Sequence, residues 1–155
     1  MRTIEILDTV ALPCSVERAW AVVADYSNDV HWRIGVLAMS VEPAGLVTPG
    51  AVTTERMRLA GKIWENAGEV CDVDDGRRFS WRTTTGADAD GAREVVPSGD
   101  GGCEVRLELR VRPHGAERLF APVLARMLRR NLGRDLARLA ELAAVADVVD
   151  VTDRS

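Results

Sequence analysis

The sequence predicts an α+β fold: a seven-stranded, curved antiparallel sheet wrapped around one long C-terminal helix, with two short helices after the first strand. Three observations carry this. Cys103, Val105, Leu107, Leu109 and Val111 alternate with Glu104, Arg106, Glu108, Arg110 and Arg112, so one face of that strand is dry and the other wet. Phe120, Leu124, Leu128, Leu132 and Leu136 recur every four residues within 116–147, the period of an apolar helix face. Between Val36 and Pro97, runs of strand formers are separated by turns built from Gly, Asp and Pro.

The elements follow in order. Ile4, Ile6, Val10 and Leu12 share one parity, which predicts a strand over about 2–12, with Asp8 as an exception and Pro13 as its end. Ser15 is placed to cap a helix whose apolar residues are Val16, Ala19, Trp20 and Val23. Residues 27–35 read as a turn and a second short helix. Strands follow at Val36–Val41, from Gly50 through Leu59, at 62–73, at Phe79–Thr85 and at Arg93–Pro97, with Asp74-Asp75-Gly76 as a hairpin turn and 86–91 as a Gly/Asp turn. Pro122 either kinks the long helix or marks its first turn, and Leu119, Val123, Met127 and Leu139 flank its leucine row. One domain is expected over 1–147, with a frayed tail over 148–155.

Composition excludes several classes. The 155 residues are 46% hydrophobic and 28% charged, ordinary for a globular chain. The net charge of −4 argues against nucleic acid as a partner. The three cysteines, Cys14, Cys71 and Cys103, form no pair motif and read as reduced thiols of a cytoplasmic protein. No signal peptide is visible, and no apolar run reaches the ~18 residues of a membrane helix. Integral membrane association is therefore not expected. The two histidines, His31 and His114, are far apart, and nucleotide loops and clustered metal ligands are missing. No metal and no cofactor are expected. Asp88-Ala89-Asp90-Gly91 begins like a calcium loop but lacks the later ligands, so it reads as a turn.

A helix is only about 10–12 Å wide with its side chains and cannot fill the trough of a seven-stranded sheet. The sequence offers two Phe, one Tyr and four Trp as plugs. An apolar pocket with a few polar groups is the expectation.

The chain resembles the Bet v 1-like, START-type superfamily, with its helix-grip fold, and within it the bacterial polyketide cyclase/dehydrase and lipid-transport family. The resemblance rests on Ala11-Leu12-Pro13-Cys14-Ser15-Val16-Glu17-Arg18-Ala19-Trp20, then Asp25-Tyr26 through His31-Trp32. Glu69-Val70, Arg78-Phe79-Ser80-Trp81, Gly101-Gly102-Cys103-Glu104-Val105 and Leu136-Ala137-Arg138-Leu139 complete it. It implies a bound apolar small molecule, and either cyclase, aromatase or dehydratase chemistry or carriage of a lipid, quinone or sterol-like ligand. Tetracenomycin-type aromatase/cyclases carry a polar residue near Asp135, a tryptophan at the place of Trp64, and an arginine about where Val70 falls here; this chain departs from that pattern, since the arginine is absent.

Candidate site residues follow from the faces. Trp64 and Asn66 share the inward face of their strand with Gly68 and Val70, and Trp81 and Thr83 share the face next door. The tryptophans are either core filler or a flat wall for a planar ligand. Trp32 either contacts the sheet as a lid or closes the pocket mouth. Met57, Leu124, Met127, Leu128 and Asn131 are further expected ligand contacts. Glu55 and Arg93 form a buried pair or anchor the ligand. In the enzyme reading, Glu55 and Asp135 move protons and Arg93 stabilises an enolate. Arg126, Arg130, Arg134 and Arg138 form a row opposite the leucines, either a solvated face or a docking face for an acidic acyl carrier protein or an anionic membrane. The protein is expected to be a monomer or homodimer.

Overall fold

The computed structural model describes residues 3–153 of the chain, with side chains through residue 144. The strands are β1 (Ile4–Leu12), β2 (Val36–Glu42), β3 (Val52–Leu59), β4 (Lys62–Asp74), β5 (Arg78–Thr85), β6 (Ala89–Pro97) and β7 (Cys103–Val111). They form one antiparallel sheet in the order β1-β7-β6-β5-β4-β3-β2. Because β1 pairs with β7, the helices α1 (Val16–Val23) and α2 (Asp29–Trp32) carry the chain from one edge of the sheet to the other. A 3-10 turn, Tyr26–Asn28, joins them, and a second, Gly115–Phe120, leads into α3 (Ala121–Asp153). Of the expected tail over 148–155, the backbone through Asp153 continues α3 as helix, and residues 154–155 lie outside the described residues.

Local chemistry explains the boundaries. Ser15 caps α1, its hydroxyl accepting from the Arg18 amide at 3.3 Å. Pro122 sits in the first turn of α3, where its missing amide hydrogen removes no helical bond. Ala60 and Gly61 both take positive φ between β3 and β4, the conformation of a tight hairpin turn. The β4–β5 register shifts twice, between Ala67 and Gly68 and between Val70 and Val73, and such irregularities bend a sheet.

β6 begins four residues before the expected Arg93, because Gly91 is a strand glycine and not a turn glycine. It lies opposite Trp81. A Cβ at this position would fall 2.7 Å from the Trp81 ring and 2.2 Å from the Glu108 carbonyl oxygen. The tryptophan ring thus occupies the space a side chain would need. Asp88 and Asp90, the would-be calcium ligands, are paired instead with Arg112, Arg110 and His114 on the outer face.

The core lies at one end of the trough. Trp20 and Tyr26 meet Phe79 edge-on at centroid distances of 6.0 and 5.7 Å, and Val95, Val105, Leu136 and Leu139 close around them. The apolar face of α3 is divided along its length. Only the helix from Leu132 onward packs into the core, while Leu119, Phe120 and Val123 are 80%, 64% and 59% exposed. With the large aromatics gathered at the α1 end, the trough beneath the first turns of α3 is left unfilled.

Candidate functional site

The unfilled space is a cavity of about 470 Å3, within the range of small-molecule sites. Its lining includes all thirteen residues singled out from the sequence as site candidates: Trp32, Glu55, Met57, Trp64, Asn66, Trp81, Thr83, Arg93, Leu124, Met127, Leu128, Asn131 and Asp135. Four lining residues are exposed, Ala60, Arg82, Phe120 and Val123, and Ala60, Phe120 and Val123 lie where α3 and the β3–β4 turn meet the opening. The aliphatic side chains of α3 form one wall and the sheet the other.

Polar groups are gathered on one side of this apolar space. Asp29 is fully buried and takes two hydrogen bonds from Arg93, Nη1 to Oδ1 at 2.9 Å and Nη2 to Oδ2 at 2.7 Å. Arg93 Nη1 also donates to the Val23 carbonyl at 3.0 Å. Arg33 Nη1 donates to Asp29 Oδ2 at 3.0 Å and to Glu55 Oε2 at 2.6 Å. Glu55 Oε1 accepts from Asn66 Nδ2 at 3.2 Å, and Asn66 Oδ1 accepts from the Ala87 amide. One chain of bonds therefore links β6, α2, β3 and β4: Arg93, Asp29, Arg33, Glu55, Asn66.

This corrects the expected Glu55–Arg93 pair. Each found another partner, because α2 and the residue after it insert Asp29 and Arg33 between them. Arg93 has given both terminal nitrogens to Asp29 and Val23. Its guanidinium also lies 4.7 Å from the Tyr26 ring and 5.0 Å from the Trp32 ring. It braces the wall through three of its five N–H donors. Asp29 and Arg33 escaped sequence reasoning. Their only trace is the i,i+4 spacing of opposite charges at the end of a short helix, which also describes solvated surface pairs.

Asp135 stands apart from the chain of bonds. It is buried, and one carboxylate oxygen accepts the Ile34 amide hydrogen at 2.6 Å. Burial pushes its carboxyl up to about 6, against the opposing pull of that hydrogen bond and of the Arg33 and Arg93 charges. Arg33 and Arg93 are paired with Asp29 and Glu55, so Asp135 has no ion-pair partner among the described residues to offset its burial. For Asp29, burial alone would raise the carboxyl, but Arg93 and then Arg33 outweigh it and hold it below the ordinary range. Tyr26, also in the lining, is pushed up to about 12 chiefly by burial and stays a phenol.

The other candidates divide by what their polar atoms are doing. The Thr83 hydroxyl is spent on the β5–β6 turn, donating to the Ala89 carbonyl and accepting the Ala89 amide, both at 3.0 Å. Trp32 is 1% exposed, so it is a deep wall of the cavity and not a cover at its mouth. Its indole N–H has no acceptor among the described residues. Asn131 lines the cavity with no hydrogen bond among the described residues. Trp64 carries the Lys62 ammonium over its ring at 4.0 Å. Val70 lies in the core outside the lining, so an arginine there would meet Val95 and Phe79 neighbours and not a ligand space.

Among the described residues no group of three or more His, Cys, Asp or Glu side chains could hold a metal ion, and no helix is long and apolar enough to cross a membrane. The three cysteines are free of disulfides.

A long helix gripped by a curved seven-stranded antiparallel sheet, with a cavity between them, defines a helix-grip protein. The model of the polyketide cyclase/dehydrase and lipid transport family matches residues 3–144, and the chain belongs to that family. The fold is shared with the Zhui aromatase/cyclase from Streptomyces sp. R1128, at TM-score 0.77 and 16% identity over 92% of this chain and 94% of that one. It is shared too with TTHA0849 from Thermus thermophilus, at TM-score 0.79 and 18% identity over 92% and 98% of the two chains. Ara h 8.0201 matches at TM-score 0.66 and 8% identity over 93% and 99%. No curated protein matches the chain at significant similarity.

Proposed function

We propose that the protein binds an apolar, largely planar small molecule bearing oxygen at one end, and that it catalyses a cyclisation or dehydration of the polyketide type on it. One observation carries this reading. Among the polar groups of a mostly apolar cavity, Asp135 is a buried carboxyl group in no ion pair among the described residues, and burial brings it to about 6. A group with that affinity for protons can both take and return one near neutral pH.

In this reading Asp135 removes a proton from the carbon between two carbonyls. The resulting enolate attacks a second carbonyl of the same chain and closes a ring. The proton returns to the new alkoxide, and that hydroxyl leaves with a hydrogen from the adjacent carbon as water, forming a carbon–carbon double bond. Glu55 has both oxygens in hydrogen bonds and positions Arg33, so it is a supporting group. Trp64 and Trp81 form flat parts of the wall, and Asn131 offers a free amide. The cavity fixes the reacting carbons close together, which lowers the entropic part of the barrier.

The test is turnover of a synthetic poly-β-ketone thioester by wild type and by Asp135→Asn, with ligand retention followed by native mass spectrometry. Asp135→Asn is expected to keep binding and to slow turnover on the order of 10²–10⁴-fold. Equal turnover removes Asp135 from the mechanism. Tight binding of apolar compounds with no turnover by wild type replaces the enzyme by a carrier of a lipid, quinone or sterol-like ligand, which the same cavity would also suit.

A further inference from the structure

The 3-10 turn Gly115–Phe120 and the N-terminal part of α3 carry a charge imbalance that the cavity does not explain. From Arg118 to Ala140 the chain has six arginines, Arg118, Arg126, Arg129, Arg130, Arg134 and Arg138, and one carboxylate, the buried Asp135. All six arginines are exposed. None is in an ion pair among the described residues. The contrast is with the outer face of the sheet, where Arg78, Arg82, Arg106, Arg110 and Arg112 are each paired with a carboxylate. The whole chain is acidic, at −4, so this face stands out against its own background.

The same end of α3 exposes Leu119, Phe120 and Val123, and Phe120 and Val123 also line the opening of the cavity. Val123, Arg126, Arg130 and Arg134 succeed one another at steps of three and four residues, so they form one row along the outer side of the helix. Across the opening, the β3–β4 turn brings exposed Ala60 to the rim, followed by Lys62. A rim of large apolar side chains, continued by arginines in no ion pair among the described residues, is not the surface of a chain that meets only water.

We infer that this face docks on an anionic lipid bilayer, with Leu119, Phe120 and Val123 entering the acyl boundary and Arg126, Arg130 and Arg134 pairing with lipid phosphates. Charge complementarity selects an anionic partner, because guanidinium forks match phosphate oxygens in two-point bonds. The apolar rim selects a bilayer over an acidic protein. A carrier protein would use the arginines and leave three large apolar side chains in water, whereas a lipid interface accommodates both at once. Docking in this orientation turns the cavity opening toward the membrane, so an apolar ligand passes between the two without crossing water.

Co-sedimentation of the full chain with vesicles tests this, using equimolar phosphatidylglycerol and phosphatidylcholine against phosphatidylcholine alone. The protein is expected to pellet with the anionic vesicles only, and to be released as salt shortens the screening length. Replacing Arg126, Arg130 and Arg134 together by Gln is expected to weaken partitioning by on the order of tenfold or more. Leu119→Ser with Val123→Ser is expected to weaken it comparably. Both sets of side chains are exposed, so thermal unfolding should match wild type and exclude misfolding as the cause. Equal recovery with both vesicle types, no recovery with either, or binding that survives both sets of substitutions overturns the inference. So does a protein that ignores vesicles but binds a purified acyl carrier protein in a salt-sensitive way, which gives the face to the carrier.

Discussion

The Asp29 carboxylate and the Arg93 guanidinium form a two-point ion pair sealed from solvent, with side-chain exposures of 0% and 6%. It joins α2 to β6 and fixes the polar side of the cavity. Removing one partner leaves the other charged and buried, which costs about 3–5 kcal/mol. Asp29→Asn and Arg93→Met are each expected to lose stability of that order in urea unfolding. A loss below about 1 kcal/mol in both would show that the pair is not desolvated as the geometry has it. The linkage sign follows from the lowered Asp29 carboxyl. Its contribution is present above the ordinary carboxylate range and disappears as pH falls below about 4, so wild type should become acid-sensitive there and Asp29→Asn less so.

Gly91 and Gly99 make a matched comparison. At Gly91 a Cβ collides with the Glu108 carbonyl oxygen and the Trp81 ring, while at Gly99 nothing lies within 4 Å. Gly91→Ala is expected to lose about 1–3 kcal/mol, the usual cost of overpacking. Gly99→Ala should stay within about 0.5 kcal/mol of wild type. Equal melting temperatures for the two variants would mean that Trp81 is free to move off the strand.

Much of this architecture is legible in the residues. The alternation from Cys103 to Val111 is the β7 strand as observed, since period two and a half-buried strand are the same statement. The fourfold leucine row is α3. Inward faces read from parity alone put Trp64, Asn66, Trp81 and Thr83 on the cavity. What parity cannot show is which polar groups meet across the fold. Glu55 and Arg93 both point inward, yet their partners come from α2 and its C-terminal cap, and a four-residue helix leaves almost no periodic trace. Gly91 is hidden for a different reason. A glycine beside aspartates has turn chemistry, and only the position of the Trp81 ring on the neighbouring strand makes it a strand residue.

Trp64 and Trp81 both line the cavity and both remain partly accessible. Under the proposed function, a flat apolar probe such as an anthraquinone should quench tryptophan emission on binding. Trp64→Ala should weaken that binding by about 1–3 kcal/mol through lost area and stacking. Trp81→Ala should do the same and also lower stability, since Trp81 packs against the core cluster. Unchanged probe affinity in both variants would make the tryptophans plain wall and core residues.

The decisive measurement concerns Asp135 and pH. Its folded carboxyl, at about 6, lies above the ordinary value of 3.8. The folded state therefore holds a proton that the unfolded state has released across this interval. Stability is fully present below the ordinary value and is lost as pH rises toward 6, after which the slope vanishes. A carboxyl held at about 6 against the ordinary 3.8 corresponds to roughly 3 kcal/mol of cost to the folded state at neutral pH. Asp135→Asn keeps an oxygen to accept the Ile34 amide and carries no charge. It is expected to be more stable than wild type at pH 7 by up to that amount, and equal to it near pH 4. Parallel stability curves for the two proteins between those limits would show that Asp135 is an ordinary ionised carboxylate and would remove the physical basis for its role as an acid and base. A variant that is more stable yet inactive would instead show a charge held in the cavity at the expense of folding, as expected where a site's chemistry and its stability pull apart.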